Sequence, residues 1–227
     1  MSDRPESPFN DLPPAVVALA LVIAGIELAF QIGSYGVIGG PDAVGWRLAA
    51  LERFAFFDPI FDEMVARNLW PVEHVWRIVS YAFVHPSFVS ALFVAVFVLA
   101  FGKMAGERFG SFAVIAIFFV ATVLGALSYG LILTTNTPLV GGYPGAFGLL
   151  GAYTFLLWVG LGAMGHNRLM AFRVILFLVG VQLLFSIFYG LPPDLLAEVV
   201  GFATGFVMAI LFVPGAVPRI LDKLRQR

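Results

Sequence analysis

Val140-Gly141-Gly142-Tyr143-Pro144-Gly145-Ala146-Phe147-Gly148-Leu149-Leu150-Gly151-Ala152-Tyr153 is a glycine-dense turn that runs straight into an apolar helix. From Tyr143 the chain continues to Ala163 without a charged residue. A helix needs about 20 mostly apolar residues to cross a hydrocarbon core of roughly 30 Å, so the stretch predicts a membrane span that begins at a tight turn.

Five further windows meet the same requirement, and the predicted spans are about 14–37, 79–101, 112–133, 143–163, 170–189 and 195–213. The chain, 1–227, reads as a single domain with a long first loop over 38–78 and a short basic tail over 214–227. Composition agrees: 60% of residues are hydrophobic, 12% are charged, and mean hydropathy is +0.96, outside the soluble range. The expected fold is an all-α bundle of six transmembrane helices in a lipid bilayer. A net charge of -1 with both signs interspersed gives no reason to expect a nucleic-acid partner. The absence of cysteine excludes disulfides, thiol catalysis and Cys-ligated metal, and no cofactor or metal is expected. Asp3, Glu6 and Asp11 precede the first apolar run, unlike the basic start of a secretory signal, so that run is expected to be retained.

In the first loop, Phe54, Phe57, Phe61 and Met64 recur at helical spacing among Glu52, Arg53, Asp58, Asp62 and Glu63. The pattern predicts a helix lying in the interface with its aromatic face in lipid; an ordinary helical domain outside the membrane is the alternative. Lys and Arg set the orientation. Lys103, Arg108, Arg168, Arg173 and the tail residues Arg219, Lys223, Arg225 and Arg227 fall on the side of the termini. The other side holds Arg47, Arg53, Arg67 and Arg77, diluted by acidic residues, so both termini are expected in the cytoplasm.

At the second span the chain reads Val75-Trp76-Arg77-Ile78-Val79-Ser80-Tyr81-Ala82-Phe83-Val84-His85. This resembles the rhomboid family of intramembrane serine proteases, in which a Trp-Arg pair ends the first loop and a Thr-Tyr-Ala-Phe-x-His run opens the second helix. Gly110-Ser111 is similar to the family's third-helix entry, and Phe147-Gly148-Leu149-Leu150-Gly151-Ala152-Tyr153 to the run after the serine of Gly-x-Ser-Gly. Gly201, Gly205 and Ala209 match the small-residue ladder after the family's sixth-helix histidine. The resemblance covers about residues 70–213. It implies a rhomboid-like bundle, Trp76 and Arg77 as a loop anchor, and Gly148, Gly151, Gly201 and Gly205 as helix-packing positions. A simple six-span form without added domains resembles bacterial inner-membrane members.

The same resemblance implies a serine atop the fourth helix, a histidine base in the sixth, and a second-helix histidine and asparagine that help hold the oxyanion. Those positions here are Tyr143, or Pro144 in the neighbouring register, then Glu198, Ser90 and Val94. Peptide-bond attack needs a nucleophile activated by an adjacent base, with donors aimed at the developing charge. None of the four positions keeps its implied residue, so the resemblance points to a degenerate, non-proteolytic member. His85 matches a family histidine that is not the base. There is no His-Glu-x-x-His and no aspartate within a span, which excludes zinc and aspartyl intramembrane chemistry.

Three functions stand as expectations. The first is a non-proteolytic protein that binds transmembrane segments of single-span clients. The second is an active rhomboid-type serine endopeptidase with an unrecognised arrangement; the third is a small transporter or channel drawing on Glu27, Gln31 and Glu198. Tyr143 is expected to hydrogen-bond Glu198 in place of the dyad, the alternative being a wet vestibule beside Pro192, Pro193 and Asp194. Glu27, Gln31 and Ser34 on the first span, and Gln182 on the fifth, read as helix-packing contacts, or else as a client or ion site.

Overall fold

The structure, a computed structural model, describes residues 12–36 and 38–213; the acidic N-terminal residues, Val37 and the basic segment 214–227 lie outside the described residues. Helix α1 (Pro14–Ser34) is followed by α2 (Trp46–Phe54), α3 (Asp58–Arg67) and two single turns, α4 (Val72–Val75) and α5 (Arg77–Ser80). Then come α6 (Phe88–Phe109), α7 (Ser111–Ile132), α8 (Tyr143–Ala163), α9 (Arg173–Tyr189) and α10 (Leu195–Phe212). Six of these are long and apolar enough to cross a membrane, the fifth counted from a 3-10 turn at Arg168–Phe172. Among the described residues the only strand-like pairing is one antiparallel bridge, Phe56 with Leu139.

Helix α8 is the hub. It packs against α6, α7 and α10, with α1 outside against α6. Half of its most apolar window is buried, against 11% for the fifth span. Lipid offers no hydrophobic drive for helices to associate, so close backbone approach must hold such a bundle. A Cβ built on Gly205 would fall on the Gly148 carbonyl, one on Gly201 on the Pro144 carbonyl, and one on Gly151 on the Phe202 carbonyl. On α8's other side, a Cβ on Gly148 would lie 2.5 Å from that of Ala121 on α7. The expected small-residue ladder is therefore the α8–α10 contact.

Three expectations are corrected. The second span runs over Phe88–Phe109, not 79–101. Pro86 lacks an amide hydrogen and disfavours helix at the residue before it, so the chain turns through a 3-10 segment at Tyr81–Phe83 and restarts after Ser87. Ser87 caps α6 by accepting the Ser90 N–H at 3.2 Å. The first span stops at Ser34 rather than 37, because Gly36 takes a left-handed φ of 68°. The aromatic face of the loop helix is turned in part into protein. Phe61 and Met64 on α3 are buried in protein, and Phe61 and Phe56 close on Gly130 at the end of α7. An amphipathic helix buries its apolar stripe against whatever apolar surface is offered, and here that surface is Tyr129 and Gly130.

Candidate functional site

The opening stretch begins where three segments meet. Gly141 adopts φ 88° and donates its N–H to the Tyr81 carbonyl at 2.9 Å. A side chain at Gly142 would strike the Ala82 carbonyl at 2.9 Å and Val94 Cγ1 at 3.0 Å. The Phe56–Leu139 bridge, with N–H···O distances of 3.1 and 2.9 Å, fastens the first loop to the segment just before this turn. Tyr81 is fully buried, and its hydroxyl donates to the Thr122 carbonyl at 2.8 Å; burial pushes its pKa up.

His85 stands in the turn ahead of α6, not on the helix. It is 1% exposed, and its Nε2 accepts the Gly142 N–H at 3.3 Å. An accepting Nε2 is an unprotonated one, so the ring is neutral with its proton on Nδ1. Burial, assisted by the nearby Arg47 cation and opposed by Glu27, lowers its pKa to about 4. The ring is thereby a strut that holds the glycine turn.

Tyr143 and Pro144 form the first turn of α8. Tyr143 is half-buried beside Phe147, Leu150 and Ile175, and its hydroxyl faces Ser90 with Glu198 nearby. Glu198, one turn inside α10, is 2% exposed. Its Oε2 accepts from Gln182 Nε2 at 2.6 Å. The expected Tyr143–Glu198 hydrogen bond is thus replaced by a Gln182–Glu198 bond, because Gln182 on α9 brings an amide donor to the carboxyl. Val94 is wholly buried against Gly142. Asp194, in the turn before α10, has its pKa raised by burial. Thr122 Oγ1, beside Gly145, is committed to the Phe118 carbonyl at 2.8 Å.

The polar residues of α1 belong to a second cluster. Arg47 on α2 grips Glu27 with both terminal nitrogens, Nη1 to Oε2 at 2.9 Å and Nη2 to Oε1 at 2.5 Å. Its Nη1 also reaches the His85 carbonyl at 2.9 Å, and its guanidinium lies 5.2 Å from the Phe30 ring. Gln31 Nε2 donates to Glu27 at 2.9 Å, while Ser34 only caps its own helix at the Gln31 carbonyl. Glu27 is thus held by the first loop, and Gln31 bonds Glu27 within its own helix. The loop partner Arg47 was missed, though an acidic residue inside an apolar span demands a cation and the loop supplies few. Arg77 ties two parts of the first loop together. Its Nη1 donates to the Ala55 carbonyl at 2.9 Å and its guanidinium sits 5.5 Å from the Phe57 ring, while Trp76 is exposed. Among the described residues no three His, Asp or Glu side chains come together to hold a metal ion.

Residues 72–215 match the Rhomboid domain family model. The chain belongs to the rhomboid family. No curated protein matches it. The match extends over the turn, α6 to α10 and every position of the glycine contact, so the chain is an integral membrane protein of that family.

Proposed function

We propose that this rhomboid-family protein is non-proteolytic and binds transmembrane segments of single-span client proteins. The observation that carries the reading is the polar pairing at the centre: Glu198 bonds Gln182, Tyr143 faces Ser90, and His85 Nε2 is occupied by the Gly142 N–H. No serine, threonine or cysteine stands at the head of α8. A retained bundle without an activated nucleophile favours binding over hydrolysis. We place both termini in the cytoplasm on the distribution of Lys and Arg, and the protein in a bacterial inner membrane on the resemblance of its six-span form to the simplest family members.

The test incubates the full chain in liposomes with labelled single-span substrates and a fluorophosphonate probe. The expected result is neither cleavage nor labelling, together with photo-crosslinking to single-span segments. Cleavage or labelling would establish the endopeptidase reading instead, and solute flux through otherwise empty liposomes the transporter one. A Tyr143→Ser, Pro144→Gly, Glu198→His, Val94→Asn variant is expected to gain activity towards the probe.

A further inference from the structure

The fifth span is attached unevenly. Its first half packs Val174, Ile175, Leu178 and Val179 against Phe147 and Leu150, whereas from Leu183 to Tyr189 its large side chains are mostly exposed. Gln182 stands between the halves. Its bond to Glu198 is the one side-chain hydrogen bond from α9 to another helix among the described residues.

The hydrogen-bond inventory of that pair has one gap. Gln182 Oε1 is buried and has no donor. The titratable and polar groups facing Glu198 are Gln182 from α9, Tyr143 from α8 and Asp194 from the preceding turn; the tyrosine of α7 at this end, Tyr129, is instead surrounded by Asp58, Asp194 and Thr135. None is a cation. An uncompensated carboxylate in such a place is costly, and a buried amide oxygen without a donor costs further. A carboxylic acid removes both problems, because its O–H is the donor that Gln182 Oε1 lacks while its carbonyl oxygen accepts from Nε2.

We propose that Glu198 is a protonated carboxylic acid joined to Gln182 as a cyclic acid–amide pair, and that loss of this proton to water releases the outer half of the fifth span. The proton-bearing bond is lost on ionisation, and the carboxylate then faces the Gln182 Oε1 dipole and Asp194. Water must enter to solvate it. A pocket of about 200 Å³ lined by Val181, Gln182, Phe185, Tyr189 and Pro192 lies on the Gln182 side of the pair. Hydrating the carboxylate through that crevice parts α9 from α10. The inference does not depend on whether the centre binds or cleaves clients.

The absence of native cysteine makes the test direct. Spin labels at Phe188→Cys on α9 and Leu131→Cys on α7, both exposed, report the separation of the outer ends in liposomes across a pH titration. One distance population is expected at low and neutral pH, and a longer one growing by up to about tenfold per pH unit through the transition. Glu198→Gln keeps a neutral two-bond pair and stays closed at every pH, whereas Gln182→Leu populates the long distance throughout. Infrared spectroscopy of the unsubstituted chain, isotope-edited at glutamate, is expected to show a protonated carboxyl band at neutral pH that disappears with the distance change. A carboxylate signature alone at neutral pH, a distance transition surviving in Glu198→Gln, or ionisation without movement would each overturn the proposal.

Discussion

Arg47→Met is the most informative single perturbation of the first loop. It deletes both bonds to Glu27 and the bond to the His85 carbonyl, and leaves Glu27, with 5% of its side chain exposed, only Gln31 as a partner. Stranding one member of a buried pair costs about 3–5 kcal/mol. The Arg47 side chain is itself 23% exposed, so water shields part of the loss and the expected destabilisation is near the lower end, about 3 kcal/mol. Arg47→Lys keeps the charge but loses the fork, and falls between. Glu27→Leu with Arg47→Met removes both charges and regains most of the loss, leaving roughly 1 kcal/mol for the forfeited His85 carbonyl bond. Reversible unfolding in mixed micelles, followed by tryptophan fluorescence, measures all four corners of the cycle; Trp46, Trp70 and Trp76 lie in the reporting loop. A single-variant loss below about 0.5 kcal/mol, or a double variant equal to the sum of the singles, would refute the argument, since contacting charges must couple.

Gly205→Ala drives a methyl onto the Gly148 carbonyl and forces α8 and α10 apart, at about 1–3 kcal/mol; Gly160→Ala meets nothing within 4 Å and leaves stability equal or higher by up to about 1 kcal/mol. Thermal unfolding of both variants checks the contrast. Tyr81→Phe loses the hydroxyl bond to Thr122 and is expected to cost about 1 kcal/mol by the same assay. His85 gives a pH dependence. Its pKa is about 4 folded against 6.5 unfolded, so between these values the unfolded chain holds the extra proton and stability falls as pH falls. The contribution is complete above pH 6.5 and about 3 kcal/mol is lost by pH 4; the profile of His85→Gln lacks that component.

The spans were legible because a bilayer demands length and apolarity, and both are visible without knowing any contact. The glycine contacts were legible for a related reason: Gly201, Gly205 and Ala209 repeat at one-turn spacing, and only close approach of another helix makes use of such a face. The start of α6 was not, because Tyr81 to Val84 are as apolar as the helix they precede, and only Pro86 marks the break. Pairings failed to show for a different reason. Glu27 meets Arg47 across 20 positions and Glu198 meets Gln182 across 16, and apolar periodicity carries no information about which polar residue crosses to which. The amphipathic pattern of α3 likewise gives the presence of an apolar stripe but not its neighbour.

Tyr143 and Glu198 share their helices with the packing positions Gly148, Gly201 and Gly205, and that separates side-chain bonding from scaffold. Glu198 lies about one turn before Gly201, and Tyr143 adjoins Pro144, whose carbonyl Gly201 touches. A new head group at 143 or 198 changes which side chains bond one another, while a new side chain at 148, 201 or 205 moves a backbone. The crossing of α8 and α10 therefore does not depend on the head groups at 143 and 198. Val94 is the exception, being fully buried with its Cγ1 3.0 Å from the position a Gly142 Cβ would take. Val94→Asn places a carboxamide there and is expected to cost about 1–3 kcal/mol unless it finds partners. The order of effects is then set: Tyr143→Ser, Pro144→Gly and Glu198→His together unfold at a higher temperature than the variant that adds Val94→Asn. Equal unfolding temperatures would mean that the wall behind Gly142 is looser than these contacts require.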